Sequence, residues 1–314
     1  MAERESLTVL GSPFGDTLAA RVAERESQIV LGLDPDLDSL WPQASEVPGA
    51  SSGPAARAAA AVLGHCRALI DAVAPACVAV KLQLARFEVL GDGAAATVAA
   101  VAAHAREHGL LVIADGKRGD IDVSARAYAH ALIDGLDTPF GRIEGLRADL
   151  ATVNPFMGRD SLETFIAAAR VVGSGVLVLV RTSNAGARDV QDLELAEGGP
   201  VWESVARLTA DLGTPGVGAS GLSDVGAVIG ATEPRHLERA RELMPSAPFL
   251  LPGVGAQGGR VEDLAPAFGA GRASGLITAS RSIADAHLRS GGAPAEAARA
   301  EAESLRAAAW ALSG

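Results

Sequence analysis

Asp115, Lys117, Arg118 and Asp120 stand together in the stretch Leu110-Leu-Val-Ile-Ala-Asp-Gly-Lys-Arg-Gly-Asp-Ile121, with Gly116 and Gly119 between the charges. Five apolar residues of strand character, 110–114, lead straight into them. A buried strand that empties into opposite charges is costly as architecture and useful as chemistry, because α/β enzymes gather catalytic groups at the carboxyl ends of parallel strands. Alternate side chains of an extended segment share a face, so Asp115 and Lys117 should point the same way, and the glycines let the backbone turn. Lys81 closes an earlier apolar run, Ala76-Cys-Val-Ala-Val-Lys81, and would extend the set to an alternating array of Lys81, Asp115, Lys117 and Asp120. An ammonium among carboxylates keeps its proton until a more basic atom forms beside it, so Lys117 is suited to protonating a carbanion.

A different chemistry is written further along. Pro252-Gly-Val-Gly-Ala-Gln-Gly-Gly259 can present several backbone N–H groups to an anion, since glycine tolerates the dihedrals and allows close approach. Ser280-Arg281, ahead of a helix start, adds amide donors and a guanidinium suited to bidentate contact. Side by side, these two features point to a phosphate.

The elements that must position these groups alternate along the chain. Strands are expected at 28–34, 76–81, 110–115, 150–155, 175–181, 215–219, 248–252 and 275–279. Helices are expected at 14–27, 55–73, 92–108, 121–134, 159–171, 200–212, 234–243 and 283–309, with polar loops at 42–54, 136–147 and 184–199. Strand and helix alternating through one composition regime read as an α/β protein, a (β/α)8 or TIM barrel. The expectation is one domain over 1–314, with the barrel proper at about 28–285, a leading helix and a C-terminal helical extension. A doubly wound sheet would carry its glycine-rich loop after the first strand, whereas here the glycines follow the seventh. Asp34, Lys81, Asp115, Lys117, Asn154, Ser183, Gln257 and Arg281 all fall at expected strand ends, which a barrel gathers on one face.

Composition narrows the partners. The 314 residues are 48% hydrophobic, ample for a core, and 27 basic against 38 acidic residues give a net charge of −11. That balance argues against nucleic acid or an anionic membrane, while a small anionic ligand needs only a local positive pocket. No apolar run approaches the roughly 18–20 residues of a membrane span, and Met1-Ala-Glu-Arg-Glu-Ser6 is no signal peptide, so a cytoplasmic location is expected. Cys66 and Cys77 have no close-spaced partner and read as buried thiols of a reducing compartment. His104 and His108 are one helical turn apart but lack the His-Glu-x-x-His pattern, so they read as a solvated helix face; no metal site and no cofactor are expected.

Asp115-x-Lys117-x-x-Asp120-Ile121, with Lys81 upstream and Pro252-Gly-Val-Gly-Ala-Gln257 downstream, resembles the orotidine 5′-phosphate decarboxylase family. The Lys117-Arg-Gly-Asp120 form, Lys81-x-Gln83, Val153-Asn-Pro155 and Arg181-Thr-Ser-Asn184 resemble its longer bacterial branch, the type 2 subfamily. The resemblance covers roughly residues 28 to 285. It implies cofactor-free conversion of orotidine 5′-monophosphate to UMP, with Lys117 protonating C6 of the pyrimidine and Asp115 against the substrate carboxylate. It further implies that Lys81 and Asp34 bind the ribose hydroxyls, that Ser183 contacts the pyrimidine, and that Gln257 and Arg281 clamp the phosphate; Asn154, Pro252 and Ser280 belong to the substrate-binding set. A homodimer is also implied, in which Asp120, Ile121 and Ser124 reach into the neighbour's site. Gly116 stands where many relatives have alanine, and Ser124 where they commonly have threonine.

Two alternatives remain at this level. One is a metal-dependent sugar-phosphate decarboxylase or aldolase of the same superfamily, in whose relatives a glutamate takes the place of Lys81. The other is a non-catalytic phosphate-binding barrel, which would have no reason to retain four charges at cost to stability.

Overall fold

The structure, a computed structural model, describes residues 12–45, 53–231, 234–255 and 258–314. Eight parallel strands close into a barrel: β1 (Ile29–Leu33), β2 (Ala79–Gln83), β3 (Leu111–Arg118), β4 (Leu150–Val153), β5 (Gly175–Arg181), β6 (Val225–Ile229), β7 (Phe249–Leu251) and β8 (Gly275–Ala279). Each strand pairs with the next, and β8 closes onto β1 through Ile29, Leu31 and their partners Ile277 and Ala279. Strands buried on both faces must be apolar on both, and β1, β6 and β8 are buried at every position.

Alternation along each strand sorts the side chains into two cores. Outward residues such as Leu31, Val80, Ala114, Ala151 and Ile277 pack under the helices. Inward residues Val30, Ala79, Ile113, Leu150, Leu177 and Leu276 fill the barrel, joined by Phe14, Leu18 and Val22 of the leading helix Phe14–Arg25, which closes the amino-terminal end. The Asp16 carboxylate accepts the amides of Ala219 and Ser220 and ties that helix to the segment before β6. One inward position beyond the apolar layer, the residues change character: Lys81 follows Ala79, Asp115 follows Ile113, Thr152 follows Leu150 and Thr278 follows Leu276. The closed end is thus packed for stability and the open end is polar, as in barrel enzymes generally.

Several expected elements are placed differently. The segment 215–219 is not a strand: Thr214–Gly216 is a 3-10 turn, and the sixth strand is Val225–Ile229. Pro215 offers no N–H for a ladder, and the apolar run Val225-Gly-Ala-Val-Ile229 lies just beyond. β3 runs on to Arg118, so the charged cluster belongs to the strand itself. The loop 136–147 contains a small hairpin, Leu136–Thr138 against Gly141–Ile143. The closing helix 283–309 is three helices, Arg281–Ala284, Ala286–Ser290 and Pro294–Leu312. Gly291 and Gly292, at φ 74° and 84°, break the last two apart, and Pro294 starts the final helix. Contrary to the expectation above, one helical stretch, Pro54–Ala76, is apolar and long enough by length and composition to cross a membrane. It is alanine-rich, and Val62, Cys66, Leu69, Ile70 and Val73 pack it against the barrel as a core helix.

Candidate active site

A cavity of about 380 Å³ opens at the carboxyl ends of the strands. Asp34 follows β1, Lys81 comes from β2, Asp115 and Lys117 from β3, and Thr278 from β8, while Ser183 follows β5. Its centre is Asp115, only 4% exposed. Oδ2 of Asp115 accepts from Lys81 Nζ at 2.8 Å and from Gln83 Nε2 at 3.2 Å. Oδ1 accepts from Lys117 Nζ at 2.6 Å and from Thr152 Oγ1 at 2.9 Å. Four donors therefore cover both oxygens of one buried carboxylate. Lys81 Nζ also donates to Asp34 Oδ1 at 3.2 Å, so the order of charges is Asp34, Lys81, Asp115, Lys117.

Burial alone would raise the Asp115 carboxyl, but the ammonium groups of Lys81 and Lys117 outweigh it and hold the group below the ordinary carboxylate range. Burial likewise disfavours the Lys81 ammonium, yet Asp34 and Asp115 prevail and raise its pKa above that of an ordinary lysine. The depressed Asp115 contributes stability that is present above the unfolded carboxylate value and lost as pH falls through the folded one. The raised Lys81 contributes stability that is full below the unfolded lysine value and lost as pH rises through the folded one. Between these limits, across neutral pH, the array is intact.

Backbone geometry places Lys117. Ala114 pairs with Ala151 and Arg118 with Val153, so β3 advances four residues while β4 advances two. The surplus arches out of the ladder, and Lys117 takes φ 49°, a left-handed conformation that costs a non-glycine residue energy unless its surroundings hold it. Thr152, fully buried, does the holding: its Oγ1 accepts the Lys117 amide at 2.9 Å and donates to Asp115. A single hydroxyl fixes both the strained backbone and the carboxylate. Sequence reading missed Thr152; the signal was its place on the inward face of β4, two residues beyond Leu150 and level with the charges.

Other expected residues fall in two groups. Ser183, Pro252, Ser280 and Arg281 line the same cavity as Asp34, Lys81, Asp115 and Lys117. Ser280 approaches because residue 32 is glycine; a Cβ there would lie 1.8 Å from Ser280 Oγ. Ser183 sits beside Thr182, whose amide donates to Gln191 Oε1, and Asp192 pairs with Arg181 at 3.0 Å, so the long 184–199 loop is anchored under it. Asp120, Ile121 and Ser124 do not line this cavity; Ile121 and Ser124 are exposed, and Asp120 Oδ1 accepts the Ile121 amide. Asn154 is also outside it, its Oδ1 capping the turn Pro155–Met157 through the Phe156 amide. Gln257 lies outside the described residues. The amides foreseen as anion donors are used within the loop: Gly255 donates to Gly259, Gly258 to Gly255 and Gly259 to Gly253. Arg281, by contrast, is exposed, lines the cavity and makes no side-chain hydrogen bond among the described residues.

The arrangement offers two fixed ammonium groups and a buried carboxylate on one side and a guanidinium elsewhere on the wall. It suits an anionic substrate that develops negative charge next to Lys117. Comparison with known proteins gives consistent findings. The model of the Orotidine 5'-phosphate decarboxylase / HUMPS family matches residues 27–300. An orotidine 5′-phosphate decarboxylase of Rhodopirellula baltica is 39% identical over 279 residues, 88% of this chain and 89% of that protein. One of Haloarcula marismortui is 41% identical over 272 residues, 86% of each. The structure of Leishmania donovani OMP decarboxylase is similar with a TM-score of 0.71 at 30% identity, covering 95% of this chain and 99% of that one.

Thr152 allows a test of this geometry that needs no substrate. Thr152→Val keeps the shape but leaves the Lys117 amide and one Asp115 lone pair unpartnered, and should cost about 1–3 kcal/mol in urea unfolding. Thr152→Ser should recover most of that; equal losses for both would show that the hydroxyl is not what matters.

Proposed function

The chain belongs to the orotidine 5′-phosphate decarboxylase / HUMPS family, and from that membership and the charge array we propose that it converts orotidine 5′-monophosphate to UMP and CO2 without a cofactor, in pyrimidine biosynthesis. The observation that carries the reading is the pair of ammonium groups, Lys81 and Lys117, held 2.8 and 2.6 Å from one buried carboxylate.

In this reaction the bond between C6 and the carboxyl carbon breaks, its electron pair stays on C6, and CO2 leaves. Lys117 Nζ then gives a proton to C6, and the neutral amine recovers one from solvent. Asp115, beside the departing carboxylate, repels it in the ground state, and that repulsion vanishes as neutral CO2 forms. The larger share falls to the ammonium groups, which are in place before charge develops and need no reorganisation. Lys81 and Asp34 take the ribose hydroxyls, and Ser183 the pyrimidine. Arg281 takes the phosphate with Ser280 beside it and Gln257 joining from the loop; that remote binding energy closes residues 253–260 over the site.

The site is completed by a second copy of the chain. Asp120, Ile121 and Ser124 stand on a face with large exposed apolar side chains, Val123 at 74% and Phe156 at 83% exposure, which suits burial in a homodimer. A metal-dependent sugar-phosphate enzyme on the same barrel would need an oxygen ligand where Lys81 stands, and an ammonium has no lone pair to give. A cytoplasmic location is supported by Cys66 and Cys77, both free and buried; burial pushes the Cys77 thiol up to about 12 and Cys66 higher still, which keeps both unreactive.

Lys117→Ala should lower the decarboxylation rate by about 10²–10⁴-fold or more while UMP still binds. A residual rate within tenfold of wild type would remove Lys117 from the role of proton donor. Asp115→Ala and Asp120→Ala dimers, each inactive alone, should regain about a quarter of wild-type activity after random subunit exchange, because half the dimers then hold one native site. No recovery, with exchange verified by native mass spectrometry, would mean that the sites are not shared.

A further inference from the structure

We propose that Asp71, His104 and His108 bind one divalent transition-metal cation of the zinc type, clipping two helices together at the closed end of the barrel, away from the catalytic cavity. Asp71 lies in the last turn of the helix Pro54–Val73, His104 in the last turn of the helix Ala94–Glu107, and His108 directly follows it. The Nε2 atoms of both rings converge on a single carboxylate oxygen: Asp71 Oδ1 is 2.7 Å from His104 Nε2 and 3.3 Å from His108 Nε2. All three donor atoms lie within 4.8 Å of one another. Ligand atoms around tetrahedral Zn²⁺, at bonds of about 2.0–2.2 Å, stand roughly 3.3 Å apart, so small side-chain rotations suffice to seat the ion.

The outer contacts determine which ring nitrogens are free to ligate. His108 Nδ1 is 2.9 Å from the backbone oxygen of His104, and a carbonyl only accepts, so Nδ1 carries a proton and, in the neutral ring, Nε2 keeps the lone pair. His104 Nδ1 faces Glu107 Oε2 at 3.4 Å, an acceptor again, which favours the same tautomer once a metal takes Nε2. Ligating histidines are held in this way, with the second N–H given to a carbonyl or carboxylate. Without a cation, a neutral His108 turns its Nε2 lone pair toward a carboxylate oxygen, an opposition that a positive charge between them removes. Both imidazoles are partly buried, their side chains 17% and 32% exposed, while Asp71 at 57% leaves a path for entry. Two helix ends meet here, and their partial negative charge favours a cation. The two helices flank β2 and β3, so the ion would stabilise the scaffold and take no part in the chemistry.

Tag-free protein stripped of metal with a chelator is titrated with ZnCl2 by calorimetry, with thermal unfolding followed in parallel. One Zn²⁺ per chain should bind at micromolar affinity or tighter and raise Tm at saturation. Glu107→Gln should weaken binding by about 10–100-fold, and the His104→Ala/His108→Ala double variant by more, losing the rise in Tm. Asp71→Asn, its fold checked by circular dichroism, should weaken binding without altering the decarboxylation rate. Absence of saturable binding, or equal binding by wild type and the double variant, overturns the site. The readout is independent of the decarboxylase reading, so either can fail without the other.

Discussion

One buried carboxylate constrains the rest of this site. Burial disfavours the charge on Asp115 and on Lys81 alike; Lys81 and Lys117 outweigh it for the first, Asp34 and Asp115 for the second. Removing water from each ion costs several kcal/mol, and only the full set of partners offsets it. Gln83 and Thr152 supply the remaining donors, leaving no oxygen of Asp115 uncovered. The result is an ammonium whose position is set before substrate arrives.

The fold makes such a set possible through strand alternation. Inward positions near the closed end are Val30, Ile113, Leu150 and Leu276, sealed below by Phe14 and Leu18. The next inward positions on β2, β3, β4 and β8 are Lys81, Asp115, Thr152 and Thr278, so one apolar layer supports one polar layer. The slip between β3 and β4 then lifts Lys117 out of the ladder, turning a regular strand into a projecting amine. The strain of that turn is carried by the hydrogen bond to Thr152, which links backbone conformation to charge placement.

Much of this was legible in the sequence because the signals were local. Apolar runs ending in Asp34, Lys81 and Asp115 marked three strands, and the barrel followed from their alternation with helices. What local patterns could not convey was partnership across the chain. Thr152 reads as an ordinary β-branched strand residue until β4 is laid beside β3. Asn154 reads as a strand-end ligand, whereas its short side chain is used to cap the turn that follows. The glycines after β7 read as holding amides open, but the loop folds on itself and uses those of Gly255, Gly258 and Gly259. The Gly291-Gly292 pair was a break in plain view within a stretch otherwise rich in alanine. The histidine pair looked solvated because its third partner, Asp71, lies 33 residues away on another helix.

Fixed ammonium groups that stabilise negative charge on C6, with Lys117 delivering the proton, must act in both directions. By microscopic reversibility the protein must then remove that proton from UMP. Proton NMR of UMP incubated with the protein in D2O measures this directly. Wild type should lose the C6–H signal, and Lys117→Ala should exchange it no faster than buffer. Retention of that signal by a wild-type sample that turns over orotidine 5′-monophosphate, or equal exchange by the two proteins, would contradict it.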